Sequence, residues 1–86
     1  MPEISRFFGI IIRMYWGDHE PPHFHALYGE HEALIEIETF RVYRGCLPRR
    51  ALALVLEWAS GHREELQEEW RRASSSQPFF PIQPLE

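Results

Sequence analysis

The sequence predicts an α+β fold: an antiparallel sheet of about four strands, followed by one long C-terminal helix packed on one face. The first half of the chain carries short β-branched and aromatic stretches that are interrupted by proline and glycine. The second half carries apolar residues at helical spacing, and 86 residues suffice for one modest core. We expect a single domain over residues 1–77 and an extended Pro-rich apolar tail over residues 78–86.

The first strand is predicted over residues 7–16, where β-branched and aromatic side chains make both faces apolar. Such a run is typical of a central strand that is covered on both sides. Pro21 and Pro22 then exclude regular strand pairing. Three further strands are expected in the remaining extended stretches: from His23 to a turn near Gly29, over residues 33–38, and over residues 40–43 with an end at Gly45.

The second and third strands are predicted to form a hairpin with a histidine-bearing face. Residues that lie opposite each other in an antiparallel pair share a face, so matching the apolar positions places His23 and His25 with Glu36. A turn at Glu30-His31 would set His25 opposite Glu36. A turn at Gly29-Glu30, with glycine where a II′ turn requires it, would set His23 opposite Glu36. Both registers bring imidazole and carboxylate groups together.

The helix is predicted to begin at Pro48, because proline is tolerated in a first helical turn. Its buried stripe has steps of three and four residues and comprises Leu52, Val55, Ala59, His62, Leu66 and Trp70. Gly61 costs roughly 1 kcal/mol relative to alanine within a helix, and His62 is expected to be a core histidine. Four glutamates are expected on the solvent face and two arginines at the C-terminal end: Glu64, Glu65, Glu68, Glu69, Arg71 and Arg72.

Composition limits the function classes. The formal charge is −4, which argues against a domain that binds nucleic acid through its overall charge. The basic residues are all arginines, and a local patch that includes Arg49 and Arg50 is a candidate binding site for carboxylate or phosphate, with a simply solvated face as the alternative. The single cysteine, Cys46, excludes an internal disulfide and suits the cytoplasm. No run is apolar enough to predict a membrane span or a secretory signal.

The segment Asp18–His25 concentrates chemically active side chains around a Pro-Pro step. One interpretation is an acid–base site, in which Glu36 orients His25 and in which His23, Asp18 and His19 also take part. A second is a metal site in which His19, His23 and His25, with Glu36, bind zinc or nickel. A third is a structural turn whose histidines hydrogen-bond to backbone, with no cofactor.

The tail is too apolar for a disordered segment. It is expected either to fold back over the sheet or to dock on a partner through Phe79, Phe80 and Ile82.

The chain resembles the bacterial domain-of-unknown-function family 4160 over nearly its whole length. The resemblance is carried by Asp18-His19-x-Pro21-Pro22-His23-Phe24-His25-Ala26-x-Tyr28-Gly29, Glu32-Ala33-x-Ile35, Leu47-Pro48-x-Arg50-x-Leu52, Glu57-Trp58-Ala59, the opening Met1-Pro2-x-Ile4-Ser5-Arg6-Phe7 and the ending Pro81-Ile82-x-Pro84-Leu85. This family is typically encoded beside a second small protein, of the domain-of-unknown-function family 2442. The resemblance therefore implies the toxin of a type II toxin–antitoxin pair, with a small neutralising protein partner.

Three hypotheses follow. The first is a toxin that acts on RNA or translation through a histidine–glutamate site of the ribonuclease acid–base type. The second is a non-catalytic interaction module that captures a partner through its apolar tail or an exposed sheet edge. The third is a small metal-binding protein based on the clustered histidines.

Overall fold

A five-stranded antiparallel sheet followed by two helices makes up the structure, a computed structural model that describes residues 3–86. Met1 and Pro2, which begin the family-like opening, lie outside the described residues. The strands pair in chain order, and the elements are β1 (Glu3–Phe7), β2 (Ile10–Arg13), β3 (His23–Tyr28), β4 (His31–Glu36), β5 (Val42–Gly45), α1 (Arg49–Ser60) and α2 (Arg63–Ser74). Neither helix is long and apolar enough to cross a membrane.

The prediction of about four strands is wrong because residues 7–16 do not form one strand. The chain reverses at Phe8 and Gly9, whose φ angles are 49° and 80°, so that β1 and β2 form a tight hairpin. Two consecutive positive φ angles are what a I′ turn requires. The sequence pattern did not indicate this turn, because its first residue is a phenylalanine and the apolar run therefore continues through it.

The prediction of one long helix is also wrong, because the chain leaves the helical conformation at Gly61 and His62. Their N–H groups donate to carbonyl oxygens three residues back, those of Trp58 and Ala59, at 3.1 and 3.0 Å. His62 has φ −136° and ψ 27°, outside the helical region. Glycine has low helix propensity, which makes such a break inexpensive, and two short helices can then follow the twisted sheet.

The main core lies between one face of the sheet and the helices. Trp58 of α1 packs against Phe7 and Phe24, with ring centroids 5.3 and 6.0 Å apart. Leu66 of α2 is fully buried in the same cluster. His62 lies at the junction of the helices, half-buried and stacked on Trp58, rather than in the core as predicted.

The tail folds back over the sheet, along β1, which is one of the two arrangements predicted for it. The N–H of Ile82 donates to the carbonyl oxygen of Ile4 at 2.7 Å, and the Ser5 hydroxyl donates to the carbonyl oxygen of Ile82 at 3.0 Å. The indole N–H of Trp58 donates to the carbonyl oxygen of Gln83 at 2.8 Å. The tail thus covers an edge of the sheet that would otherwise present unpaired backbone groups.

Glu69 anchors the same tail, although it was predicted on the solvent face. It is 3% exposed and accepts hydrogen bonds from Arg72 at 2.8 Å and from the backbone N–H of Phe80 at 2.9 Å. Phe79 stacks on Trp16 at 4.7 Å, whereas the Phe80 ring lies under the Arg72 guanidinium and remains 58% exposed. Phe79 and Ile82 therefore serve packing within this chain.

Candidate functional site

The register of the β3–β4 hairpin brings the histidines to one face of the sheet. Gly29 and Glu30 form the turn, Gly29 has φ 60°, and His23 lies opposite Glu36. This is the second of the two predicted registers. His25 lies opposite Leu34 on the same face, away from the Trp58 core.

The loop between β2 and β3 carries Asp18 over this face. Its Oδ2 lies 3.0 Å from Nε2 of His23 and 3.0 Å from Nε2 of His25. Its Oδ1 accepts the backbone N–H of His19 at 2.9 Å. The loop, in which the Glu20–Pro21 peptide bond is cis, is tied to the end of α2 by a bond from the Gly17 N–H to the Ala73 carbonyl oxygen. We call Asp18, His23 and His25 the histidine centre.

The other ring nitrogen of each histidine also faces an oxygen. Nδ1 of His23 lies 2.8 Å from the carbonyl oxygen of Pro21, and Nδ1 of His25 lies 2.9 Å from Oε2 of Glu32. Glu32 is two positions from Leu34, so it is a diagonal neighbour of His25 on the same face and within reach of a long side chain.

Aromatic rings enclose the histidine centre. Tyr15 packs edge-on against His25 at 4.6 Å, and His23 has Tyr43 at 5.5 Å and Trp70 at 5.2 Å. His23 is consequently only 1% exposed. A charge in this centre has little water around it and must be stabilised by protein groups or by a bound ion.

Burial and hydrogen bonding act in opposite directions on the Asp18 carboxyl. Desolvation raises its pKa, but the hydrogen bonds from His25 and the His19 backbone and the nearby histidine charges outweigh burial, so that the pKa of Asp18 lies below its ordinary value. Burial, with a smaller effect of the Asp18 charge, raises the pKa of Tyr43. Asp18 is therefore the ionised member of the centre and Tyr43 a neutral hydroxyl beside it.

The two histidines of the centre, if neutral, carry fewer N–H groups than the number of oxygen atoms that their ring nitrogens face. Each ring nitrogen of His23 and His25 faces an oxygen that can only accept when the carboxyl groups are ionised. A neutral imidazole carries one N–H, so two neutral histidines leave half of these contacts without a hydrogen. A second N–H on each ring would satisfy all four contacts, and so would a cation held between the two Nε2 atoms and Asp18.

The predicted site residues separate into those in the centre and those outside it. Asp18, His23 and His25 meet, whereas the ring of His19 is not among their hydrogen-bond partners. The Glu36 carboxylate accepts from the hydroxyl of Thr39 at 3.2 Å, and Glu32 takes the predicted place of Glu36 beside His25.

Sequence reasoning missed Glu32 and the enclosing aromatic rings. Once the Gly29-Glu30 turn is chosen, the alternation of β4 places Glu32 on the histidine face, so the signal for this residue was present. No comparable local signal connects Trp70 with His23, because that contact depends on how α2 packs.

A small pocket of about 170 Å³ gives access to the centre; its lining includes Asp18, His23, His19, Tyr43 and Arg44. Arg13 lies opposite His25 on the neighbouring strand. Its Nε is buried and has no hydrogen-bond partner among residues 3–86. Arginine donors are thus available on two sides of the histidine centre.

Arg49 and Arg50 lie elsewhere, in the first turn of α1. Arg50 borders an apolar groove of about 360 Å³ that is lined also by Phe8, Tyr28, Pro48, Ala51 and Leu54. Phe8 is 60% exposed, and neither arginine forms an ion pair with an acidic residue of the described chain.

The chain belongs to the family described as Domain of unknown function (DUF4160), whose sequence model matches residues 9–71. This confirms the family resemblance, and the matched residues include the whole histidine centre. Comparison with curated proteins and with solved structures returned no match.

Proposed function

We propose that this chain is the toxin of a bacterial type II toxin–antitoxin module, that it works in the cytoplasm and that it acts on RNA at the histidine centre. The toxin role follows from what the family resemblance implies. The observation that supports chemistry at this position is the meeting of two imidazoles and a carboxylate at a pocket with Arg44 in its lining. Imidazoles and carboxylates are the side chains that most often transfer protons in catalysis.

RNA is the substrate class that the surrounding groups favour. Cleavage of RNA by its own 2′-hydroxyl forms a 2′,3′-cyclic phosphate and breaks the P–O5′ bond. It requires a group that accepts the 2′-hydroxyl proton, a group that returns a proton to the leaving 5′-oxygen, and positive charge that stabilises the phosphate oxygens. In the metal-free state, residues of the histidine centre would make these proton transfers, and the guanidinium groups of Arg13 and Arg44 would supply the positive charge. Because the whole domain has a charge of −4, phosphate recognition would depend on these local arginines.

The neutralising partner is proposed to dock in the apolar groove beside Arg50. An exposed phenylalanine, Phe8, and unpaired arginines at the start of α1 suit a partner segment with an apolar anchor flanked by acidic residues. The groove and the pocket of the histidine centre share no lining residue, so a partner anchored in the groove would have to extend beyond it to block that pocket.

Growth of a bacterial host after tight induction tests the toxin role. We expect wild-type protein to arrest growth and lower the viable count. The drop in viable count caused by His25→Ala should be at least tenfold smaller. His31→Ala is the matched control, because His31 is an exposed histidine at the hairpin turn. Soluble wild-type protein without growth arrest would contradict the proposal. Arrest by both wild type and His25→Ala would move toxicity away from the histidine centre.

Direct RNA cleavage tests the substrate. Purified wild-type protein is expected to shorten a labelled single-stranded RNA, and Arg44→Gln is expected to reduce the rate without changing the fold. Equal rates for wild type and His25→Ala would indicate a contaminating ribonuclease and would remove RNA as the substrate.

A further inference from the structure

We propose that Asp18, His23 and His25 bind a first-row divalent transition-metal ion, with zinc or nickel as the probe. The ligand atoms are Nε2 of each histidine and Oδ2 of Asp18. This inference concerns the histidine centre itself and does not depend on whether the chain is toxic or acts on RNA.

The spacing of the ligand atoms suits a metal ion. Asp18 Oδ2 lies 3.0 Å from both Nε2 atoms, and all three atoms lie within 4.8 Å of one another. An ion at about 2.1 Å from each ligand separates neighbouring ligand atoms by roughly 3.0–3.4 Å. The two separations from Asp18 Oδ2 lie at the short end of this range, and the two Nε2 atoms must come within about 4.2 Å of each other to share one ion.

The outer contacts are those that metal-binding histidines require. A histidine that binds through Nε2 usually donates its Nδ1–H to a carboxylate or a backbone carbonyl, which orients the ring. His25 has Glu32 in this position at 2.9 Å, and His23 has the carbonyl oxygen of Pro21 at 2.8 Å. Both types of outer partner are present, and each is directed at the nitrogen that the ion would not use.

A metal ion also resolves the missing hydrogen atoms. With the ion between the Nε2 atoms and Asp18, each neutral imidazole needs only one N–H, on Nδ1, and each Nδ1–H has an acceptor. The bound ion is thus one of the two ways to satisfy all four contacts, and it leaves each ring with the single N–H that a neutral imidazole carries.

The donor set selects the class of metal. Two imidazole nitrogens and one carboxylate oxygen suit zinc, nickel or iron(II), whereas magnesium and calcium prefer oxygen ligands. Three protein ligands leave at least one coordination position for water, which is typical of a reactive site rather than a closed structural one. Two of the three ligands, Asp18 and His23, line the pocket that Arg44 also borders.

This ligand set differs from the one that the sequence suggested. His19 was predicted as a ligand, but its contribution to the centre is the backbone N–H that holds Oδ1 of Asp18. Asp18 supplies the third ligand atom instead.

Isothermal titration of chelator-treated, dialysed protein with zinc chloride tests the proposal. We expect one ion per wild-type chain, and at least 100-fold weaker binding for Asp18→Asn and for His25→Ala. His19→Ala and His31→Ala are the matched controls, and both should bind as wild type does. Excess magnesium should not compete. Circular dichroism checks that each variant is folded.

Nitrogen-15 NMR of the wild-type histidine side chains provides a test that needs no substitution. Zinc should shift the Nε2 resonances of His23 and His25 and leave both rings protonated at Nδ1, while His31 should be unaffected. Absence of zinc and nickel binding at millimolar concentration, or binding that His31→Ala or Cys46→Ser abolishes, would overturn the proposal. Because neither measurement involves RNA or cell growth, a failure here is distinguishable from a failure of the proposed toxin role.

Discussion

Two buried charged clusters of this protein differ in how their hydrogen atoms and charges balance. Around Glu69, one carboxylate accepts from one guanidinium and one backbone N–H, so charges and hydrogen atoms balance. In the histidine centre, oxygens face every ring nitrogen, and neutral histidines cannot supply enough hydrogen atoms. The comparison teaches that burial of charge does not by itself identify a functional site. The donor–acceptor count narrows the histidine centre to two states, one with both imidazoles protonated and one with a bound cation.

The largest expected effect comes from disrupting the balanced cluster. Glu69→Ala should lower the free energy of unfolding by about 3 kcal/mol, because Arg72 loses its buried partner and the Phe80 N–H loses its acceptor. Denaturant unfolding measures the loss. Glu68→Ala is the control, since Glu68 is more exposed and should cost less than about 1 kcal/mol. Equal losses for the two variants would show that the Glu69 cluster does not stabilise the tail.

Zinc should stabilise the protein only through the histidine centre. Free zinc at about 100 times its dissociation constant should raise the free energy of unfolding of wild-type protein by about 2.7 kcal/mol, because the ion binds the folded state. Thermal unfolding with and without a chelator measures the difference. Glu69→Ala should retain the zinc increment, because distant sites act additively, while Asp18→Asn should lose it. An increment that survives in Asp18→Asn would place the ion elsewhere.

The outer partner of His25 should have an intermediate effect. Glu32→Gln removes the carboxylate that orients His25 and should weaken zinc binding by about 10- to 100-fold. Glu36→Gln is the control, because it is the same substitution on the same strand. Glu36 contacts Thr39 instead of a histidine, so this variant should change the zinc affinity by less than about twofold. Titration of both variants compares them. The reverse order would restore the sequence-based assignment of Glu36.

The smallest effect is expected at His19. Its exposed side chain is outside the ligand group, so His19→Ala should change stability by no more than about 0.5 kcal/mol. Proline at the same position would remove the N–H that Asp18 Oδ1 accepts and should weaken zinc binding more than alanine does. Thermal unfolding and zinc titration of the two variants separate the side chain from the backbone.

Local periodicity explains how much of the site could be predicted. Alternation along β3 and β4 and the glycine at the turn placed His23, His25 and Glu36 on one face, and the observed register is one of the two expected. Proline and helical spacing likewise predicted where α1 begins. The number of strands and helices could not be derived in this way, because a phenylalanine occupies the first turn and a single glycine did not compel a helix break.

The sequence by itself determined which chemical groups are available and which face of the hairpin bears the histidines, because both depend on residue type and on a period of two residues. Only the tertiary structure decided that Asp18 folds over that face, that Glu32 rather than Glu36 contacts His25, and that the tail covers β1. These contacts join different elements: the β2–β3 loop to β3, β3 to a diagonal position on β4, and the tail to β1. Their geometry depends on the packing of the whole molecule, which no local pattern records.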